Sequence, residues 1–222
     1  MKISSVILVL LSFYTIMLLS IALINRMRPG FASPRSLAEN LNILNILHGG
    51  GIILMLLPAW IVTPLPGFLL SFPDNRSPEQ LLGLLICSFA IFYFPWKKFA
   101  AGEQDHKPNF CPPSQTVLYI FLRIFFLTTY EWFFRGLLLI SLYKWLGIGW
   151  AIAINISLYT LMHNHKHKKE IIGCIPFGLL LCVFTIWWQS VWPAIILHLQ
   201  VAILNEWPEL NRLTSAQKQP SI

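Results

Sequence analysis

Apolar residues along this chain form long runs rather than alternating or recurring once per helical turn. Seven stretches, at about 3–24, 41–62, 80–96, 114–144, 146–163, 171–188 and 191–206, are apolar over most of their length. A helix that is hydrophobic all round belongs in lipid or in a deep core, and one bilayer crossing needs roughly 20 residues. The pattern therefore predicts an all-α fold, a polytopic membrane helix bundle of about seven transmembrane helices. The fourth run is long for one crossing and the seventh is short. The first run follows Lys2, has no small-residue cleavage site and leads into Asn25-Arg26-Met27-Arg28. It reads as an uncleaved helix rather than a signal peptide.

Composition narrows the class further. The 222 residues are 56% hydrophobic and only 11% charged, against about 25% charged in soluble domains. That leaves too little polarity to cover a water-facing surface, and far too much apolar residue for a disordered chain. A net charge of +7 would suit nucleic acid, but the basic residues lie in the connections and form no stripe. The lipid bilayer, and no nucleic acid, is the expected partner. The cysteines Cys87, Cys111, Cys174 and Cys182 lack paired or metal-ligand spacing and read as small hydrophobic residues.

The basic residues also predict an orientation. With seven spans, Lys2, Arg76 and Lys144 fall on one side. Arg26, Arg28, Arg35, Lys97, Lys98, Lys107, Lys166, Lys168, Lys169, Arg212 and Lys218 fall on the other, eleven against three. Positive-inside bias then puts the amino terminus outside and the carboxyl terminus in the cytosol. The expected location is a multi-pass protein of a bacterial plasma membrane. His48-Gly49-Gly50-Gly51 lies inside an apolar run without the Lys-Ser/Thr of a phosphate loop, so close helix packing is its expected role.

With the loop charges set aside, Arg123, Glu131, Arg135, His163 and His198 are singled out inside the runs. A charge at mid-membrane costs at least about 2.5–3.5 kcal/mol, which makes such residues functional candidates. Arg123 lies near the cytosolic end and is expected to snorkel. Glu131 and Arg135 are four apart and share a helix face, the arrangement of a buried ion pair as well as of a site. Counting at 1.5 Å per residue from the outer surface, Glu131 lies roughly 20 Å deep, His163 roughly 26 Å and His198 roughly 12 Å. His198 reaches the level of the others if the last helix starts inside the bilayer, as the short join Gln189-Ser190-Val191 allows. A carboxylate, a guanidinium and two imidazoles meeting in apolar surroundings can do acid–base work on water or a peptide bond. His163, His165 and His167 also suggest a metal, with 163 and 167 on one face. The interleaved lysines would repel a cation, so no cofactor is assigned and a divalent metal finds no support in the spacing.

Three segments carry a resemblance. Tyr130-Glu131-Trp132-Phe133-Phe134-Arg135-Gly136 is similar to the Glu-Glu-x-x-x-Arg-Gly helix of the CAAX prenyl protease and bacteriocin-processing (CPBP, Abi) family of intramembrane proteases. Ser157 to His163 resembles its second motif, Phe-x-x-x-His, with Tyr159 for Phe. Phe177-Gly178 followed by Ser190 to His198 resembles its third region, which ends in His-x-x-x-Asn. The resemblance implies membrane helices over 1–113, a protease core over 114–206 and a cytosolic tail over 207–222. It implies an intramembrane endopeptidase acting on a membrane-embedded or lipidated peptide, with Glu131, His163 and His198 holding the attacking water and Arg135 orienting Glu131. Two positions depart from the family pattern. Tyr130 replaces the first Glu, the usual base, and Ala202 replaces the Asn. A phenol of pKa near 10 is a poor base, although Tyr130 can donate a hydrogen bond to an oxyanion. Asn205, seven residues after His198, is the candidate stand-in for Ala202. Two other readings remain open: a pseudoprotease that binds a peptide without cutting it, for example in bacteriocin immunity, and a small proton-coupled transporter.

Overall fold

The computed structural model describes residues 3–29, 37–61, 76–100, 113–166 and 168–216. The described residues form helices α1 (Ile3–Met27), α2 (Leu37–Ile61), α3 (Pro78–Ala100), α4 (Pro113–Glu131), a π-helical segment (Trp132–Leu138), α5 (Leu139–Leu146), α6 (Ile148–Met162), α7 (Lys168–Trp188) and α8 (Trp192–Ala216). No strand occurs among them. Because α4, the π segment and α5 run on without a break, the described residues make seven continuous helices, one for each apolar run. Helices satisfy every backbone group internally, which lipid demands. Large apolar side chains such as Leu8, Leu23, Ile46, Leu85, Phe89, Val117 and Ile172 are exposed. Water would not tolerate such a surface, whereas lipid covers it at no cost.

Four helical stretches are long and apolar enough to cross a membrane: Ser5–Met27, Asn40–Pro58, the 34-residue Pro113–Leu146 and Lys168–Trp188. The expectation of about seven is thus met in part. Pro78–Tyr93 and Ile148–Met162 are apolar but shorter. The second half of α8 carries Asn205, Glu206, Pro208 and Arg212, which dilutes its hydropathy below that of a span. Lys2, Arg35, Lys107 and Lys218, on which part of the orientation rests, lie outside the described residues, as do Cys111 and His167.

Helix α2 packs on α4, α4 on α8, and α6 between α5 and α7, with α1 against α2 and α5. Tyr14 of α1 donates its hydroxyl to the Leu158 carbonyl of α6 at 3.0 Å. At one end of the bundle, Arg76 and Gln80 donate to the Trp188 and Trp187 carbonyls at 2.6 and 2.9 Å. These side chains satisfy the orphan carbonyls at the end of α7. In the glycine tract only Gly51 fulfils the packing expectation. A Cβ there would lie 2.6 Å from the Phe126 ring, whereas Gly49 and Gly50 have open space.

Arg123 corrects one expectation. It does not snorkel; its Nη2 pairs with Glu206 Oε1 at 2.7 Å, and Tyr119 donates to the other Glu206 oxygen at 2.9 Å. Arg123 Nη1 also lies 3.4 Å from His48 Nε2. A carboxylate within reach across α4 and α8 neutralises the charge inside the bundle, so the side chain need not climb to water. Glu206→Gln is expected to lower stability by about 1.5–3 kcal/mol. Adding Arg123→Met should return part of that loss, because the uncompensated charge goes with it. Denaturing-detergent titration of both variants provides the test; an unchanged midpoint in Glu206→Gln would show that the pair contributes nothing.

Candidate active site

The π segment begins directly after Glu131, and each of its residues from Trp132 to Leu138 is buried. A π turn closes hydrogen bonds from i to i+5 and accommodates one residue more than an α turn; it occurs chiefly as single turns, often at functional sites. Here the Leu139 N–H bonds to the Phe134 carbonyl. The same carbonyl accepts a second hydrogen bond from Asn155 Nδ2 of α6 at 2.7 Å.

Three of the polar residues singled out in the sequence meet at this segment. Arg135 Nε lies 3.3 Å from Glu131 Oε2, with both side chains fully buried. The other carboxylate oxygen, Oε1, accepts a hydrogen bond from His198 Nδ1 of α8. His198 can reach Glu131 because α8 starts inside the bundle: Ser190, Val191 and Ala194 are all inaccessible. The turn before it is tight, with Gln189 at φ 49°. Arg135 is held from its other side by aromatic faces, its Cζ 4.5 Å from the Tyr159 ring centre and 5.8 Å from that of Phe134. These cation–π contacts take the place of hydrogen bonds, since neither Nη1 nor Nη2 has a partner among the described residues.

His163 stands one step apart. Its Nδ1 donates to the Tyr159 carbonyl at 2.9 Å and its ring packs 4.7 Å from the Tyr159 ring. Tyr159 in turn meets the His198 ring at 6.1 Å, so both imidazoles border one tyrosine. Among the described residues no hydrogen bond joins His163 to Glu131 or His198. With Nδ1 committed as donor, the neutral His163 ring presents Nε2 as acceptor. Tyr130 stacks on Phe134 at 4.4 Å and meets His198 edge-on at 5.8 Å. Its buried hydroxyl has no hydrogen-bond partner among the described residues. Positions 130 and 131 differ by about 100° around a helix, yet both border His198, the ring of one and the carboxylate of the other.

Ala202 is buried one turn beyond His198 and, with Leu199, Tyr119, Arg123 and Glu206, lines a cavity of about 60 Å³ between α4 and α8. Asn205 is exposed and does not stand in for it. Seven residues fall 20° short of two turns, but the face of α8 turned to the site is the one through His198, Ala202 and Glu206. Among the described residues no cluster of three or more His, Cys, Asp or Glu is placed to hold a metal ion. His165, in the turn between α6 and α7, is neutral at pH 7: burial, then the neighbouring Lys166 charge, pulls its imidazole down to about 4.

Asn155 and Glu206 are the residues that the sequence reading passed over. Asn155 was one uncharged polar residue in an apolar run, and its period with Ala151 and Tyr159 was the available signal. Glu206 is the last residue of the seventh run and was not singled out, although it lies eight residues from His198.

Compared with known proteins, residues 112–204 match the model of a family described as type II CAAX prenyl endopeptidase Rce1-like. The matched stretch holds the three segments that carried the resemblance, which the match bears out, and it supports a protease of the membrane-embedded kind. No curated protein and no solved structure matches the chain.

Proposed function

We propose that this chain is an intramembrane endopeptidase that hydrolyses a peptide bond of a membrane-embedded or lipidated substrate. The observation carrying this reading is the hydrogen bond from His198 Nδ1 to a fully buried Glu131 that is also clasped by Arg135, within a stretch similar to CAAX prenyl endopeptidases. A carboxylate accepting Nδ1–H leaves His198 Nε2 as the basic nitrogen and stabilises the imidazolium formed when that nitrogen takes a proton. In this reading water meets the imidazole, which keeps 7% exposure, and not the carboxylate, which has none. Water gives its proton to Nε2 while its oxygen bonds to the substrate carbonyl carbon. The tetrahedral oxyanion takes hydrogen bonds, from the Tyr130 hydroxyl among others. The C–N bond then breaks and the proton leaves with the new amine. Arg135 orients Glu131, and His163 lies beside Tyr159 at the edge of this site.

The orientation belongs to the same proposal: amino terminus outside, residues 165–169 in the cytosol of a bacterial cell, and a site open to that side. Reporter fusions after Lys107 and after Lys169 are expected to read cytosol; an outside signal from either would end it. For the activity itself, the purified full chain in lipid nanodiscs is incubated with lipidated and unmodified membrane peptides, and products are read by mass spectrometry. New fragments with a free amine are expected. Their absence across a broad peptide set would favour the second reading, a pseudoprotease. That reading draws on Tyr130 in place of a carboxylate and on Glu131 being hydrogen-bonded to His198 through one oxygen and ion-paired with Arg135 through the other.

A further inference from the structure

The buried residues of α6 recur as Ala151, Asn155 and Tyr159, a single face turned to the π segment. Two successive turns of that face grip the segment. Tyr159 offers its ring to Arg135, and Asn155 offers its amide to the Phe134 carbonyl. Asn155 is wholly inaccessible, and its orientation is set at both ends: Nδ2 donates to Phe134 O at 2.7 Å, while Oδ1 accepts from Cys182 Sγ of α7 at 3.4 Å. A flipped amide would set oxygen against oxygen. In an α-helix the Phe134 carbonyl would take the N–H of residue 138; here it takes that of Leu139, and Asn155 fills its second lone pair.

A π turn is rare because it is less favourable than the α turn it displaces, and something outside the helix must hold it. We infer that Asn155 is a positioning residue: its hydrogen bond to Phe134 holds the π register that aims Glu131 at His198. Relaxation to an α-helix shifts the register by one residue, turning α4 and Glu131 by about 100° relative to α5. Because α4 is packed on α2 and α8 while α5 is packed on α1 and α6, the two halves cannot both keep their contacts through that rotation, and Glu131, at their junction, loses its alignment with His198. The catalytic part of this inference rests on the proposed hydrolysis; the structural part does not.

Two substitutions in the full chain in nanodiscs separate donation from packing. Asn155→Leu keeps the branched outline in a somewhat larger side chain and removes the donor. Asn155→Asp keeps the shape and donates to Phe134 only while its carboxyl is protonated. Amide hydrogen exchange over residues 134–142 is expected to quicken several-fold to about tenfold in Asn155→Leu. On a cleaved membrane peptide its kcat should fall about tenfold or more at every pH, with KM little changed. Asn155→Asp should approach the unmodified protein at low pH and lose turnover as the carboxyl ionises, a profile that loss of packing would not produce. Unaltered exchange in Asn155→Leu overturns the inference, as does equal, pH-independent loss in both variants. If the unmodified protein cleaves no peptide, the hydrolysis reading fails, and the exchange measurement still decides whether Asn155 holds the π turn.

Discussion

Glu131→Gln is expected to reduce cleavage of a membrane peptide by about 10²–10⁴-fold, the range lost when a general base or its orienting carboxylate is removed. The amide can still accept from His198 Nδ1, so the geometry of the pair survives. What is lost is the negative charge that stabilises an imidazolium. The same substitution leaves Arg135, with no exposed surface, without its counter-charge. Breaking a buried pair from one side costs about 3–5 kcal/mol, which a marginally stable protein cannot absorb without a large drop in its unfolding midpoint. Lost activity could then mean lost fold, and a second variant separates the two. Glu131→Gln with Arg135→Met removes both charges and should recover most of the stability, because the methionine still packs between Tyr159 and Phe134. It should recover none of the cleavage. Turnover by Glu131→Gln at the unmodified rate would sink the role assigned to this carboxylate.

Tyr130→Phe should separate activity from stability in the opposite sense. The ring stack on Phe134 is kept, and a buried hydroxyl without a partner is removed. Stability should hold or rise by about 1 kcal/mol, since an unsatisfied buried polar group is a cost. If that hydroxyl donates to the oxyanion, kcat falls about 10²–10³-fold with KM little affected. A more stable, less active variant is the signature of a group kept for function. Tyr130→Glu supplies the carboxylate that the related family motif carries at this position. Cleavage that first appears in Tyr130→Glu would mark the unmodified chain as a pseudoprotease. Equal turnover in the tyrosine and phenylalanine forms would remove the hydroxyl from the mechanism.

Much of the architecture was legible because lipid imposes simple demands. Each of the seven apolar runs became a helix, since backbone groups in hydrocarbon must be satisfied within the segment. Glu131 with Arg135 was readable for the same reason, because two opposite charges four residues apart in an apolar run can only be affordable together. The three motif segments pointed to the stretch that the family comparison matches. Charge alone misled at Arg123, for a lone cation near a membrane face looks the same whether it climbs to water or meets a carboxylate from another helix.

Register and partnership across helices were decided only by tertiary structure. Nothing in Trp132–Leu138 announces a π turn; it exists because Asn155, from another helix, fills a carbonyl lone pair that the local sequence cannot reach. His163 was expected at the depth of Glu131, yet its Nδ1 bonds to the Tyr159 carbonyl and not to the carboxylate, because depth along a helix says nothing about rotation around it. His198 appeared too shallow until α8 was seen to begin inside the bundle. Local sequence determines which segments leave water and which charges must find partners there. Which partner each charge finds depends on helix rotation and offset, and those are settled by side-chain packing between segments far apart in the chain.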